Sequence, residues 1–215
     1  MTPPEINEDM IERVTDVLQH ESRAILAIPV NESFESATLL IHNRVHEKGG
    51  KLVTSGMGKA GEIAQNISTT FSSTGTPAVF LHPSEAQHGD LGLIQENDVL
   101  LMVSNSGKTR EILELVHLAK RLHKGLPMII ITGNPDCELA EIVDVCILTG
   151  NPDEVCPLGL SPTTSTTVMT VIGDALIVLM MDKIGFTYEE YSKRHHGGYL
   201  GSKSREQAEG SSDTD

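Results

Sequence analysis

The chain has 215 residues, enough for one well-packed domain and short for two. Sixteen Lys and Arg stand against 30 Asp and Glu, a formal net charge of −14, and no basic stripe interrupts that balance, so binding along a nucleic-acid backbone is disfavoured. Global acidity does not exclude a small anionic substrate, because a few local donors outweigh the distant field.

The first residues, MTPPEINEDM, are acidic and lack an apolar centre, so they do not read as a signal peptide. No stretch approaches the ~20 apolar residues of a membrane span, and a cytoplasmic protein that uses no membrane is the expectation. Cys137, Cys146 and Cys156 are odd in number and match no zinc spacing, which favours reduced structural thiols over a disulfide framework. From Ile6 to His46 the apolar residues Ile6, Met10, Val14, Val17 and Leu18, then Leu39, Leu40 and Val45, recur at helical spacing. They predict two helices separated near Pro29-Val30-Asn31. Strand-length apolar runs follow at 51–54, 78–81, 99–103, 128–132 and 143–148. Most carry no alternation, as expected when both faces of a parallel sheet are covered. Helical patterns lie between them, clearest over 109–123, where Ile112, Leu115, Val116 and Ala119 form one face. Alternation of strand and helix predicts an α/β fold: a three-layer, doubly wound sheet of mainly parallel strands with an N-terminal helical extension. Ligands in such sheets sit beyond the carboxyl ends of the strands.

Two strand ends carry unusual residues. In TSGMGKAGEIAQ, 54–65, Gly56, Gly58 and Gly61 fit G-x-G-x-x-G, but the next strand ends Leu81-His82-Pro83-Ser84, without the acid that a dinucleotide site requires, and the P-loop spacing is absent. In SNSGKTREI, 104–112, Ser104, Asn105, Ser106 and Thr109 offer hydroxyl and amide donors, and Gly107 lets backbone approach a ligand. Backbone N–H groups and the dipole at a helix N-terminus favour an anion such as phosphate. Helix capping alone would also account for Ser and Asn there.

The C-terminal third opens with DEVCPLGLSPTTSTT, a long hydroxyl-rich loop, and continues into an apolar helix over 168–183. Long ordered loops in compact domains tend to be functional. YSKRHHGGYLGSKSR places His195 and His196 before two glycines, and the polar, acidic residues 203–215 are expected to be disordered.

With these pieces placed, the chain resembles the sugar isomerase (SIS) domain family, and within it the arabinose 5-phosphate isomerases that supply the pathway to the acidic eight-carbon sugar Kdo. The stretches that carry the resemblance are GMGKAG, STGTPAVFLHPSEAQHGDLG, SNSG, CPLGLSPTTSTT followed by GDAL, and HHGGYLG. They cover about residues 40 to 202, which divides the chain into N-terminal helices at 1–40, an SIS domain at 41–202 and a tail at 203–215. Three features depart from the family pattern. Lys108 stands where many members carry Glu, and Arg194-His195-His196-Gly197-Gly198 replaces the usual Ser-His-Pro-Gly-Gly. Most members also continue into a tandem pair of cystathionine-synthase-type regulatory modules, so the expectation here is a stand-alone catalytic form serving lipopolysaccharide or capsule.

The resemblance implies interconversion of D-arabinose 5-phosphate and D-ribulose 5-phosphate through an enediolate, with no cofactor and no metal. It implies a phosphate anchor of Ser55, Ser104, Asn105, Ser106 and Thr109, with Gly58 and the cation Lys59 at the first loop. Glu154 matches the family's proposed base, with Glu111 as the alternative, since an acid in a first helical turn is also simply good dipole chemistry. His195 matches the catalytic His that shuttles protons between oxygens, and His88 is a candidate sugar contact. His82, Glu85 and His88 could take an adventitious zinc ion. A homo-oligomer, a dimer of dimers, is implied as well. Two other readings stay open: a non-catalytic sugar-phosphate sensor, and an isomerase of a hexose phosphate.

Overall fold

A computed structural model describes residues 8–211; Ile6 and the last four residues of the expected tail lie outside it. Two helices, α1 (Glu8–Leu26) and α2 (Ser33–Ile41), come first, and α2 runs into a π-helical turn, His42–Glu47. Then strands and helices alternate: β1 (Leu52–Gly56), α3 (Gly58–Ser73), β2 (Ala78–Phe80), α4 (Pro83–Ala86), β3 (Val99–Val103), α5 (Arg110–Leu122), β4 (Met128–Thr132), α6 (Glu138–Ile142) and β5 (Val145–Leu148). Three helices close the chain, α7 (Thr164–Ile184), α8 (Tyr188–Arg194) and α9 (Gly198–Ser211).

All strand pairs are parallel, in the order β2-β1-β3-β4-β5. β1, β3 and β4 are buried along their whole length, which is why β3 and most of β4 read as continuous apolar runs rather than alternating ones. Alternate residues feed two cores. Leu52, Leu101, Val103, Ile129, Ile131 and Ile147 face α2, α3 and α7. Val53, Leu100, Met102, Met128 and Ile130 face α4, α5 and α6. The result is the expected three layers, with α1 packed outside α7.

α7 is long and apolar enough, by length and composition, to cross a membrane, contrary to the reading that no stretch comes close. One face of it packs into the core instead: Val168, Met169, Ile172, Leu176, Ile177 and Met180 are all buried there. The tail also differs from expectation, because α9 continues to Ser211. The helix has a surface to lie on: with α8 and the end of α7 it encloses a cleft lined by Met181, Phe186, Tyr191, Leu200 and Ser204, and Ser204 is buried.

One packing detail sets the heights of two helices. A Cβ on Gly173 of α7 would lie 2.6 Å from Ile67 Cγ1 on α3. Each residue is nine positions from the start of its own helix, and both chain ends, Gly75 after α3 and Phe186 after α7, also touch. The two helices therefore run side by side in the same direction with their N-termini level, at the carboxyl edge of the sheet. Gly173→Val should overpack this contact and destabilise the fold by about 1–3 kcal/mol. Denaturant melts should show Ile67→Ala recovering part of that loss in the double variant, since contacting sites are not additive; fully additive losses would mean the helices are not held there.

Candidate active site

The order 2-1-3-4-5 reverses direction between β1 and β3, and that reversal opens a crevice at the carboxyl edge. Gly56 of β1 stands in register with Val103 of β3, so the 56–59 loop and the 104–109 turn form the two lips of the crevice. In the first lip, a Cβ on Gly56 would lie 2.7 Å from the Ala60 carbonyl, and one on Gly61 2.6 Å from the Gly56 carbonyl. The glycine spacing therefore serves close backbone approach between strand end and helix. Lys59 follows in the first turn of α3, 63% exposed, with its ammonium 3.8 Å from Glu62. Gly58 is exposed beside it.

In the second lip, Gly107 takes a left-handed φ of 62°, and any Cβ there would run into Cys137, which is buried beneath the turn. Ser104 is buried, with its hydroxyl 3.0 Å from that of Thr109. Ser106 is exposed and its hydroxyl accepts the Lys108 N–H. Neither α3 nor α5 has a side-chain cap from its N-cap residue. Their first-turn N–H groups lack partners within the helix, and both helices start at the same crevice. Glu111 is half-buried in the first turn of α5. His88 lies exposed just after α4, near α5, to which Gln87 is tied through Glu114.

A third helix N-terminus is already occupied. Glu154 Oε2 accepts hydrogen bonds from Thr163 N at 2.6 Å, Thr163 Oγ1 at 2.9 Å and Ser165 N at 3.3 Å. Partial burial pushes its pKa up, but the hydrogen bonds from Ser165 and Thr163 outweigh that and hold the carboxyl below its ordinary value. Because α7 is level with α3, Glu154 and Lys59 stand at the mouths of neighbouring helices, whose axes pack about 8–10 Å apart. The loop after Glu154 folds over Cys156, whose sulfur accepts the Leu160 and Ser161 N–H groups. Leu158 and Leu160 at its tip are exposed.

Of the expected site residues, Ser55 is contradicted, while Asn105 and His195 are found in surroundings of their own. Ser55 is fully buried and donates its hydroxyl to the Leu81 carbonyl at 2.7 Å; it ties β1 to the segment after β2 and does not face the crevice. Asn105 turns its side-chain carbonyl over Gly133 at the end of β4, where that oxygen is buried without a hydrogen bond. Its backbone carbonyl, meanwhile, accepts from Gly133 N and Thr132 Oγ1. His195 is not at this edge. It stacks on Tyr191 at 3.8 Å between ring centroids, Tyr191 meets Phe186 edge to face, and Phe186 lies against Gly75 at the amino edge of the sheet. α7 has 21 residues, so it carries the chain about 30 Å from Glu154 before His195 is reached. The fold thus sets Gly58, Lys59, the 104–109 turn, Glu111 and Glu154 at one edge of the sheet and leaves His195 of the same chain at the other. Among the described residues no three His, Cys, Asp or Glu side chains converge as a metal would require, which includes the His82, Glu85 and His88 trio.

The SIS domain model matches residues 46–179. Arabinose 5-phosphate isomerase KdsD of Shigella flexneri is 49% identical over 154 residues, covering 72% of this chain and 46% of that protein. The chain spans about half the length of the curated relatives it matches. Among solved structures, a candidate phosphosugar isomerase involved in capsule formation from Bacteroides fragilis is 66% identical, with a TM-score of 0.87, over 88% of this chain and 99% of that one. An Escherichia coli CFT073 protein in complex with arabinose 5-phosphate is 34% identical, with a TM-score of 0.80, over 89% of this chain and 100% of that one.

The geometry of Glu154 gives a pH prediction. A carboxylate whose pKa is lowered on folding contributes stability above its unfolded pKa and loses it as pH falls through the folded value. Glu154→Ala should therefore melt below the wild type, by an N-cap's worth of about 0.5–2 kcal/mol, with a steady gap from neutral pH to about pH 5 that closes below about pH 4. A gap that widens in acid would show that the carboxyl is not held as the anion.

Proposed function

Since the chain belongs to the SIS domain family, we propose that it is an aldose–ketose isomerase acting on D-arabinose 5-phosphate and D-ribulose 5-phosphate. The observation that carries the reading is the crevice between β1 and β3, where two uncapped helix N-termini meet beside Lys59. In an acidic chain that is a local positive site, which favours an anion such as a phosphate group. Ser104, Ser106 and Thr109 supply hydroxyls around it. The choice of a five-carbon substrate is supported by the relatives named for arabinose 5-phosphate and by the structural neighbour that holds the same sugar phosphate. The similarity to a protein of capsule formation supports Kdo supply for capsule as the setting.

In this reading the open-chain aldose presents C2 to Glu154. The carboxylate takes the C2 proton, the C2–H electron pair forms the C1=C2 bond of an enediolate as O1 gains negative charge, the carboxylic acid returns the proton to C1, and the O2 proton passes to O1 as C2=O2 forms. A carboxylate held below its ordinary pKa is a weak base for carbon. Anchoring the phosphate compensates, because fixing the reacting carbon against the base supplies several kcal/mol of the barrier. Glu111 is the less favourable base: it shares its helical turn with the N–H groups assigned to the phosphate, where a second negative charge opposes the anion. His88 fits a contact to a sugar hydroxyl at the rim.

The separation of His195 from Glu154 supports a homo-oligomer in which a second copy brings its own His195 to the crevice. Apolar surface for such contacts is present: Ile11, Val14 and Leu18 are more than half exposed on one face of α1. A groove of about 1110 Å³ between α2 and α7 is lined by Phe34, Leu39, Val171, Val178 and Leu179.

A coupled assay should show turnover of arabinose 5-phosphate and little of fructose 6-phosphate; the reverse preference would replace the substrate assignment. Lys59→Ala removes a charge-assisted contact of about 1.5–3 kcal/mol, so kcat/KM should fall about ten- to a hundredfold or more. An unchanged value would leave Lys59 as surface charge. Glu154→Gln should abolish exchange of the C2 hydrogen with solvent deuterium, whereas His195→Asn should slow net isomerisation and keep exchange. Mixed and reassembled, these two variants should regain activity, because some hybrid sites then hold both intact residues; a mixture no better than its parents would place the whole site in one chain.

A further inference from the structure

We propose that Glu21 of α1 is a positioning residue for Glu154 and acts through the hydroxyl of Thr164, an inference that rests on the reading of Glu154 as the base. Three side chains of α1 grip the segment that carries Glu154. Arg13 Nη2 donates to the Val155 carbonyl at 3.1 Å. His20 Nε2 lies 2.8 Å from the Asp153 carbonyl, and since a carbonyl only accepts, that nitrogen carries the proton. Glu21 Oε1 accepts from Thr164 Oγ1 at 3.1 Å.

The third contact is directional. Thr164 is fully buried in the first turn of α7, and its Oγ1 also accepts the Val155 N–H at 3.2 Å. A hydroxyl has one proton and two lone pairs. Giving the proton to Glu21 leaves a lone pair aimed at Val155, so the carboxylate decides which way the buried rotor points. Remove that acceptor and the Thr164 proton is free to turn toward the Val155 N–H, setting donor against donor beside the peptide of Glu154. Glu21 itself is a costly residue for packing alone. Its Oε2 is buried and meets no hydrogen-bond donor among the described residues, and a carboxylate oxygen shut from water without a donor is expensive and asks for an explanation. Acceptance of the Thr164 proton at Oε1 is that explanation, and it places α1, outside the SIS core, in the positioning of the base.

The test uses the full chain in four variants. Glu21→Leu and Thr164→Val remove the acceptor and the hydroxyl; Glu21→Gln and Thr164→Ser keep them. Loss of one buried hydrogen bond should raise amide hydrogen exchange at Val155 by roughly tenfold in the first pair, with the second pair near wild type. In steady-state assays on arabinose 5-phosphate the first pair should lose about tenfold in kcat with KM nearly unchanged, and the double variant should be no worse than either single one, because one relay is broken only once. Unchanged Val155 exchange in folded variants overturns the proposal, as do kcat losses that multiply in the double variant or losses not rescued by Gln and Ser. Faster Val155 exchange with undiminished kcat keeps the relay and removes Glu154 as the base, so the two readings fail separately.

Discussion

Gly173 lets Ile67 press against the backbone of α7, and that contact fixes α3 and α7 side by side with their first turns at one height. Much of the site's geometry follows from it. Lys59 on α3 comes to stand beside the mouth of α7, where Glu154 holds the Thr163 and Ser165 N–H groups. The same helix, because it is 21 residues long, delivers the chain to the opposite edge of the sheet and strands His195 there. One packing decision thus gathers the cation and the carboxylate and, by the length of the helix, exports the histidine. In the proposed homo-oligomer a second copy would bring it back.

Electrostatics at the crevice are local and divided. With a net charge of −14, the molecule as a whole repels a sugar phosphate, so attraction must come from groups within a few ångströms, inside the screening length of about 8 Å at physiological salt. The N-termini of α3, α5 and α7 all lie at this edge of the sheet. Glu154 neutralises the one on α7 and is held ionised by doing so; those of α3 and α5, without side-chain caps, are left for the anion. The arrangement sorts charge by position: positive helix ends where the proposed phosphate would sit, a fixed negative charge one helix away. Its cost is basicity, which the hydrogen bonds to Glu154 lower.

Much of the fold is legible in the sequence because burial on both faces leaves a plain mark. The runs at 99–103 and 128–132 coincide with β3 and β4, and the polar turns after β1 and β3 do flank the switch point. What is not legible depends on direction and distance. Residue type says that Ser55 can donate; only the register of β1 shows that its hydroxyl is given to the Leu81 carbonyl instead. The hydroxyls of the 161–167 run signal a ligand loop, yet part of their work is to hold Glu154 and to receive Glu21, a partner 143 residues away in sequence. α7 has the composition of a membrane span, and residues 203–211 that of a disordered segment. Each is ordered by contacts that no local pattern reports, the strand faces in one case and the α7–α8 cleft in the other.

The most direct test of this account is a crystal structure of the full chain grown with arabinose 5-phosphate. The account predicts the phosphate between the 56–59 loop and the 104–109 turn, with Lys59 at hydrogen-bond distance. C2 should lie toward Glu154, and His195 of a neighbouring copy should close the site. Phosphate bound away from the β1–β3 crevice, or a sugar whose C2 points away from Glu154 in every copy, would contradict it.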